Sequence, residues 1–202
     1  MSMKPILFNT EMVRAILDGR KSCTRRIVKP QQLVGLLPDK CKNGVPEEFL
    51  KDTSYKAPYK PGDILYVRET WHKGLERYIY RADYSDTEKF YQGGKEINMK
   101  WHPSIHMPKE AARIFLRVTN VRVERLQDIT EEGASTEGAI DSRGFIHSYD
   151  NEYANMHTAR ENFAEIWDNT VKKSDIDRYS WDANPYVWVI EFERRDKPES
   201  EE

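Results

Sequence analysis

The sequence predicts an α+β fold: a mixed β-barrel with flanking helices and two long loop insertions. Three observations predict it. Arg113 to Leu126 carries the clearest strand signal, with Ile114, Leu116 and Val118 on one face and Val121 and Val123 resuming the pattern after an expected twist or bulge. Ile64 to Trp71 and Tyr186 to Glu193 alternate in the same way, the second setting Val187, Val189 and Glu191 against Trp188, Ile190 and Phe192. Between them lie short segments with helical spacing and capping residues rather than the long helices of a bundle.

In chain order, Ile6-Leu7-Phe8 is a short apolar run followed by the cap candidates Asn9-Thr10. Met12, Val13, Ile16 and Leu17 then fall on one helical face, and Gly19 ends the helix as a C′ glycine. Ser22 to Val28 reads as extended and closes at Lys29-Pro30, because the residue before proline is pushed away from helix. Residues 31 to 60, with Pro38, Pro46 and Pro58, read as a surface loop. Pro61-Gly62-Asp63 turns the chain into the strand Ile64 to Trp71, whose expected hairpin partner is Tyr78 to Arg81.

Residues 83 to 110 are polar, yet they hold Trp101, His102, His106 and Met107, so this second insertion has something to bury or bind. Thr130 is an N-cap with Glu131 and Glu132 in the first turn of a short helix, Glu131 to Glu137, that stops at Gly138. After an expected loop from Asp141 to Asn155, Ala159, Phe163, Ile166 and Trp167 mark the buried stripe of another helix. The organisation expected is one domain over 1–194 and an acidic, disordered tail over 195–202.

Length and composition bound the function. The chain has 202 residues, enough for one ordinary core, with 33% charged, 38% hydrophobic and 11% aromatic residues, a composition that argues against disorder. With 32 Lys+Arg against 34 Asp+Glu the net charge is −2, so no global basic field drives indiscriminate polyanion binding and any nucleic-acid contact is local. No apolar run approaches the roughly 20 residues of a membrane span, and Met1 to Asn9 lacks the features of a signal peptide, so a cytoplasmic protein without membrane partners is expected. Cys23 and Cys41 have neither CxxC spacing nor a histidine cluster beside them, and reduced thiols are the expectation. His102 and His106 are four apart, but Pro103 lies between them and no carboxylate completes a zinc set, so neither a metal nor a cofactor is expected. Gly93-Gly94 lacks the strand and helix context of a phosphate loop.

The densest polar segment beside regular structure is Gly19-Arg20-Lys21-Ser22-Cys23-Thr24-Arg25-Arg26. A lysine serves as base or nucleophile when burial or neighbouring cations weaken its hold on the proton, and Arg20, Arg25 and Arg26 supply such cations. A threonine hydroxyl within its reach can then attack an acyl carbon. Spacing alone favours a plainer reading, in which Lys21 complements a helix dipole and Thr24 is an ordinary strand residue. A carboxylate is needed to complete a site, and Glu69 and Glu137 are the candidates. Trp71, Trp101 and Trp181 fall near loops, where they can stack on a base or pack as core or lid. Val121-Arg122-Val123-Glu124-Arg125 reads as a solvated strand face.

Together these segments resemble the ASCH family, a branch of the PUA-like superfamily, and especially its longer members encoded in phages and prophages. The resemblance covers most of the chain. It is carried by Ile16 to Arg26, which holds a GxKxxTxR-like signature, by Pro61 to Trp71, by Trp101-His102-Pro103-Ser104-Ile105-His106-Met107-Pro108, and by Trp188-Val189-Ile190-Glu191-Phe192. It implies a PUA-like barrel with a helix-lined cleft and RNA-related work. Small bacterial members with a similar signature remove the acetyl group of N4-acetylcytidine with a lysine, a threonine and a glutamate. Their counterparts here are Lys21 as base, Thr24 as nucleophile and Glu137 as acid toward the leaving amine. Apart from the resemblance, Arg26, Arg68, Glu69, Trp71, Trp101 and Trp181 are the expected substrate contacts. The partner implied is a modified nucleoside or RNA. A non-catalytic RNA- or modified-base-binding module and a metal-independent ribonuclease are the alternatives. This chain is about twice as long as the small amidohydrolases, and its insertions lid the pocket or widen it toward a polymer.

Overall fold

The computed structural model describes residues 3–29, 57–143 and 157–198, and within them capped helices and short strands form an α+β fold with mixed sheets. The strands are β1 (Lys4–Leu7), β2 (Cys23–Ile27), β3 (Ile64–Arg68), β4 (Trp71–Lys73), β5 (Tyr78–Tyr80), β6 (Phe90–Gln92), β7 (Lys95–Ile97), β8 (Phe115–Arg125) and β9 (Tyr186–Arg195). The helices are α1 (Thr10–Leu17), α2 (Glu131–Thr136), α3 (Ala159–Thr170) and α4 (Ile176–Tyr179). The expected loop over 31–60 falls mostly outside the described residues, as do most of the 141–155 connection and the last four residues of the tail.

The chain divides into two compact units, one of Met1–Gly19, Asp63–Arg117 and Glu193–Glu202, the other of Arg20–Gly62 and Val118–Phe192. In the first unit β1 runs parallel to β3, and β3 pairs antiparallel with the start of β8 (Leu65 opposite Leu116). Ile6, Val13, Leu65, Val67 and Leu116 are buried there. Asn9 caps α1 by accepting the Met12 N–H at 2.8 Å, which satisfies one of the donors a helix start leaves open.

The strand expected over Ile64 to Trp71 is broken in two. β3 has both edges taken, by β1 and β8, so Tyr78–Tyr80 finds no free ladder on it and pairs instead with the separate β4. The second insertion, expected as loop, contains the β6–β7 hairpin, closed by Gly93 and Gly94 at φ 59° and 77°. Both turn positions need positive φ, which is why glycine occupies them.

In the second unit the strand order is β8-β9-β2. β9 has a neighbour on each edge, and Val187 to Ile190 is buried on both faces, where the sequence pattern expected alternation. It also runs to Arg195, past the expected end at Glu193. Thr130 caps α2, and Thr158 caps α3 in a capping box with Glu161, so both helices start at built stops. α3 presents Ala159, Phe163 and Trp167, four residues apart, to a core of Cys23, Leu126, Ile129, Ala134, Val187 and Val189. That stripe drifts away from Ile166, which is 39% exposed rather than part of the core. Among the described residues the pairings form no closed ring of strands, and no helix is long and apolar enough to cross a membrane.

Candidate functional site

Lys21 precedes β2, on a segment tied down at Ser22: the Ser22 N–H donates to the Thr136 carbonyl at 2.9 Å and the Ser22 carbonyl accepts from Phe192 N–H at 2.8 Å. Its ammonium donates to Glu137 Oε2 at 2.7 Å, to the Glu137 carbonyl at 2.8 Å and to the Cys23 carbonyl at 2.7 Å. The side chains of Lys21 and Glu137 are 0% and 4% exposed. Glu137 is the C-cap of α2, where unpaired carbonyls gather negative charge, so carboxylate and helix end draw the ammonium to one spot. The dipole that Lys21 meets is therefore that of α2, rather than that of the helix preceding it in sequence. Burial pushes the Lys21 proton affinity down, and Glu137 opposes the shift.

Glu137 has a second cation. Arg25 Nη1 donates to Glu137 Oε1 at 3.2 Å, while Arg25 Nε and Nη2 donate to Glu124 Oε1 at 2.9 and 2.5 Å. Arg25 also lies 5.8 Å from the Phe163 ring centre, on the side of β2 that faces α3. A cavity of about 240 Å³ opens beside it, lined among others by Cys23, Arg25, Arg122 and Thr136. Successive strand residues point to opposite faces, so Thr24 and Arg26 lie on the other side of β2. There Arg26 Nη1 donates to Thr24 Oγ1 at 2.7 Å, and the Thr24 side chain is buried.

Of the three residues expected to act, the structure joins Lys21 directly to Glu137 and couples Thr24 to Arg26, whose charge also acts on Lys21. Glu124 was missed. Its side chain is 17% exposed and grips Arg25, so the reading of 121–125 as a solvated face fails at this residue. No motif carries that signal, since the contact joins strands 99 positions apart in sequence. The Cys23 thiol, buried and near Glu137, is pushed up to about 12. Cys41 lies outside the described residues.

Four expected contact residues belong to the first unit. Arg68 donates to the Met107 carbonyl at 2.9 Å and to the Ile105 carbonyl. Glu69 is gripped by Arg113 through both oxygens at 2.9 and 3.0 Å, and burial pushes its proton affinity up against that grip. Trp71 is 8% exposed and packs on Tyr78 and His102, so it is core and not a stacking platform. Its Nε1 has no hydrogen-bond partner among the described residues. Trp101 lines an open cleft of about 650 Å³ with Phe90 and Met99, and Arg81 sits 5.7 Å from its ring centre. The charged rim of that cleft is paired within itself, Arg81 with Asp86 and Lys89 with Glu96.

Trp181, in the second unit, packs edge-on to Phe163 under the Arg160 guanidinium, and its backbone N–H donates to Asp168 Oδ1 at 2.7 Å. His102 pairs by backbone with Trp71, and among the described residues no group of three or more His, Cys, Asp or Glu is placed to hold a metal.

Fold and site thus define an α+β protein whose second unit buries a lysine held by a carboxylate that is shared with an arginine. No family model, curated protein or solved structure matches the chain.

Proposed function

We propose that the chain is a PUA-like domain of the ASCH type that hydrolyses the acetyl amide of N4-acetylcytidine-like nucleosides. The observation that carries this reading is the Lys21 ammonium, fully buried against Glu137 at 2.7 Å and three residues from a buried threonine hydroxyl. The mixed parallel and antiparallel pairing flanked by short helices supports the PUA-like part.

A desolvated lysine loses its proton more readily than one in water and so is better suited to act as a base. Thr24 Oγ1 meets Arg26 and not Lys21, so in its amine form Lys21 takes the Thr24 hydroxyl proton through a water that enters with the substrate, as Oγ1 bonds to the acetyl carbon. Arg26, donating to that same oxygen, makes the hydroxyl easier to deprotonate. When the C–N4 bond breaks, the Lys21 ammonium returns the proton to the leaving amine. Water then cleaves the acyl-threonine, giving acetate and restoring the hydroxyl. Both oxygens of Glu137 already accept hydrogen bonds, from Lys21 and Arg25, which suits Glu137 to orienting Lys21 better than to donating a proton itself.

The test is cytidine release from N4-acetylcytidine, followed by chromatography. Release by the wild type, lost in Lys21→Ala and in Thr24→Ala at unchanged unfolding temperature for the latter, is the expected result. Absence of turnover in the wild type overturns the reading. The saturation of the Lys21 ammonium by three acceptors favours a second reading, a module that binds a modified base without turnover. That reading predicts a salt-sensitive complex with RNA and no product.

A further inference from the structure

Arg25 stands outside the lysine–threonine signature, yet it is a buried cation held by two carboxylates, Glu124 and Glu137. Its side chain is 3% exposed. Glu124 Oε1 accepts from both Nε and Nη2, and the other Glu124 oxygen is 3.4 Å from Arg122 Nε. Gly133 of α2 leaves the room this guanidinium needs, since a Cβ there would lie 3.4 Å from Arg25 Nη2. Held in this way, Arg25 presents Nη1 to Glu137 Oε1 while Lys21 takes Oε2.

We propose that Arg25, locked by Glu124, is a positioning residue that fixes the Glu137 carboxylate against Lys21 and sets how firmly Lys21 keeps its proton. This deepens the reading of Lys21 as the proton carrier. One carboxylate shared by two cations binds each less strongly than it would bind either alone. Removing Arg25 concentrates the Glu137 charge on Lys21 and stabilises the ammonium. Removing the charge of Glu124 does the reverse: Arg25, freed of its counter-ion, competes harder for Glu137 and the ammonium is weakened. Among the described residues, the charged and titratable groups acting on Lys21 include Glu137 from the end of α2 and Arg26 and Cys23 from β2, with Arg25 reaching it through the shared Glu137 carboxylate.

The two substitutions therefore move one titration in opposite directions, whereas an ion pair without electrostatic reach to Lys21 would move it in neither. The experiment follows the side-chain ¹³Cε resonance of Lys21 against pH in the full chain, for wild type, Arg25→Gln, Arg25→Lys and Glu124→Gln. The Lys21 midpoint is expected to rise by about one pH unit in Arg25→Gln, the scale of losing a nearby charge. It falls in Glu124→Gln and lies between wild type and Arg25→Gln in Arg25→Lys. Where cytidine release is measurable, the acidic limb of kcat/KM shifts in step, with KM nearly constant.

A midpoint equal in all four proteins, or moving the same way in Arg25→Gln and Glu124→Gln, overturns the proposal. Glu124→Gln and Arg25→Lys keep it testable if Arg25→Gln does not fold. If the wild type releases no cytidine, the hydrolase reading falls on its own, while the titration still decides the role of Arg25.

Discussion

Each unit buries a carboxylate, and the two are held differently. Glu69 of the first unit is 1% exposed and is gripped by one guanidinium, Arg113, which also reaches Asp83 and lies 3.9 Å from the Tyr80 ring centre. Glu137 of the second unit divides its oxygens between an arginine and a lysine. An arginine stays protonated at any working pH, so the cation beside Glu69 has a single charge state. A desolvated lysine has two within reach. The first network is suited to holding a scaffold and the second to exchanging a proton, although both glutamates looked alike in the sequence.

The sharpest way to break this comparison is to remove one cation from each network. Arg113→Ala leaves Glu69 buried with no cation among the described residues, a change that costs about 3–5 kcal/mol. For a chain of 202 residues each kcal/mol lowers the unfolding temperature by roughly 2–4 °C, so a fall of about 10 °C is expected by calorimetry. Lys21→Ala leaves Arg25 on Glu137 and should cost about 2 kcal/mol. Cytidine release disappears in Lys21→Ala and survives in Arg113→Ala assayed below its transition. A larger stability loss in Lys21→Ala than in Arg113→Ala would invert the roles assigned to the two networks.

A second difference lies in alkaline stability. Of the two cysteines in the sequence, Cys23 is described, and it falls in the second unit. Burial and Glu137 push the Cys23 thiol up to about 12, whereas an unfolded thiol titrates near 8.5. Between those values the folded state binds more protons than the unfolded one, so this group makes stability fall as pH rises, by at most about 1.4 kcal/mol per pH unit. Lys21, with its proton affinity lowered by burial, acts in the opposite sense: its cost is relieved as pH rises through its folded value. Cys23→Ala should therefore lose less stability than wild type between pH 8.5 and 10 in urea titrations. A thiol-alkylating reagent at pH 8 should modify Cys23 only after unfolding, as read by peptide mass. Equal alkaline slopes, or rapid labelling of the folded chain at Cys23, would remove Cys23 from the buried network.

What the sequence made legible follows from the range of the interactions involved. Asn9, Thr130 and the glycines after α1 and α2 announce helix ends because capping acts over three or four residues. Lys21 and Glu137 were legible as residue types through a resemblance, yet their contact spans 116 positions and no local pattern encodes it. The break after β3 was illegible for the same reason, since it depends on β1 and β8 already occupying the strand's edges. Trp71 shows the limit of reading a large aromatic near a loop as a platform. Burial against Met107, Ala111 and Phe115 decides its role, and burial is a property of the fold.

The smallest expected effect isolates how Arg25 is held. Gly133 is a helical glycine in α2, and replacing such a residue by alanine ordinarily gains about 1 kcal/mol. Here the new Cβ would stand 3.2 Å from Ile129 Cγ1, 3.3 Å from Thr130 Oγ1 and 3.4 Å from Arg25 Nη2. Thr130 is fixed as the cap of α2, and Arg25 is pinned by Glu124 at 2.5 Å, so neither can yield without giving up a hydrogen bond. Gly133→Ala is accordingly expected to destabilise by up to about 1 kcal/mol in chemical denaturation. In a Glu124→Gln background the guanidinium is free to shift, and the two changes should fall short of additivity by at least about 0.5 kcal/mol. Arg113 in the first unit is flanked by no such glycine among the described residues, and 27% of its side chain is exposed. A full alanine gain at Gly133 would mean that the clamp on Arg25 is loose, and Glu137 would then be held by Lys21 alone.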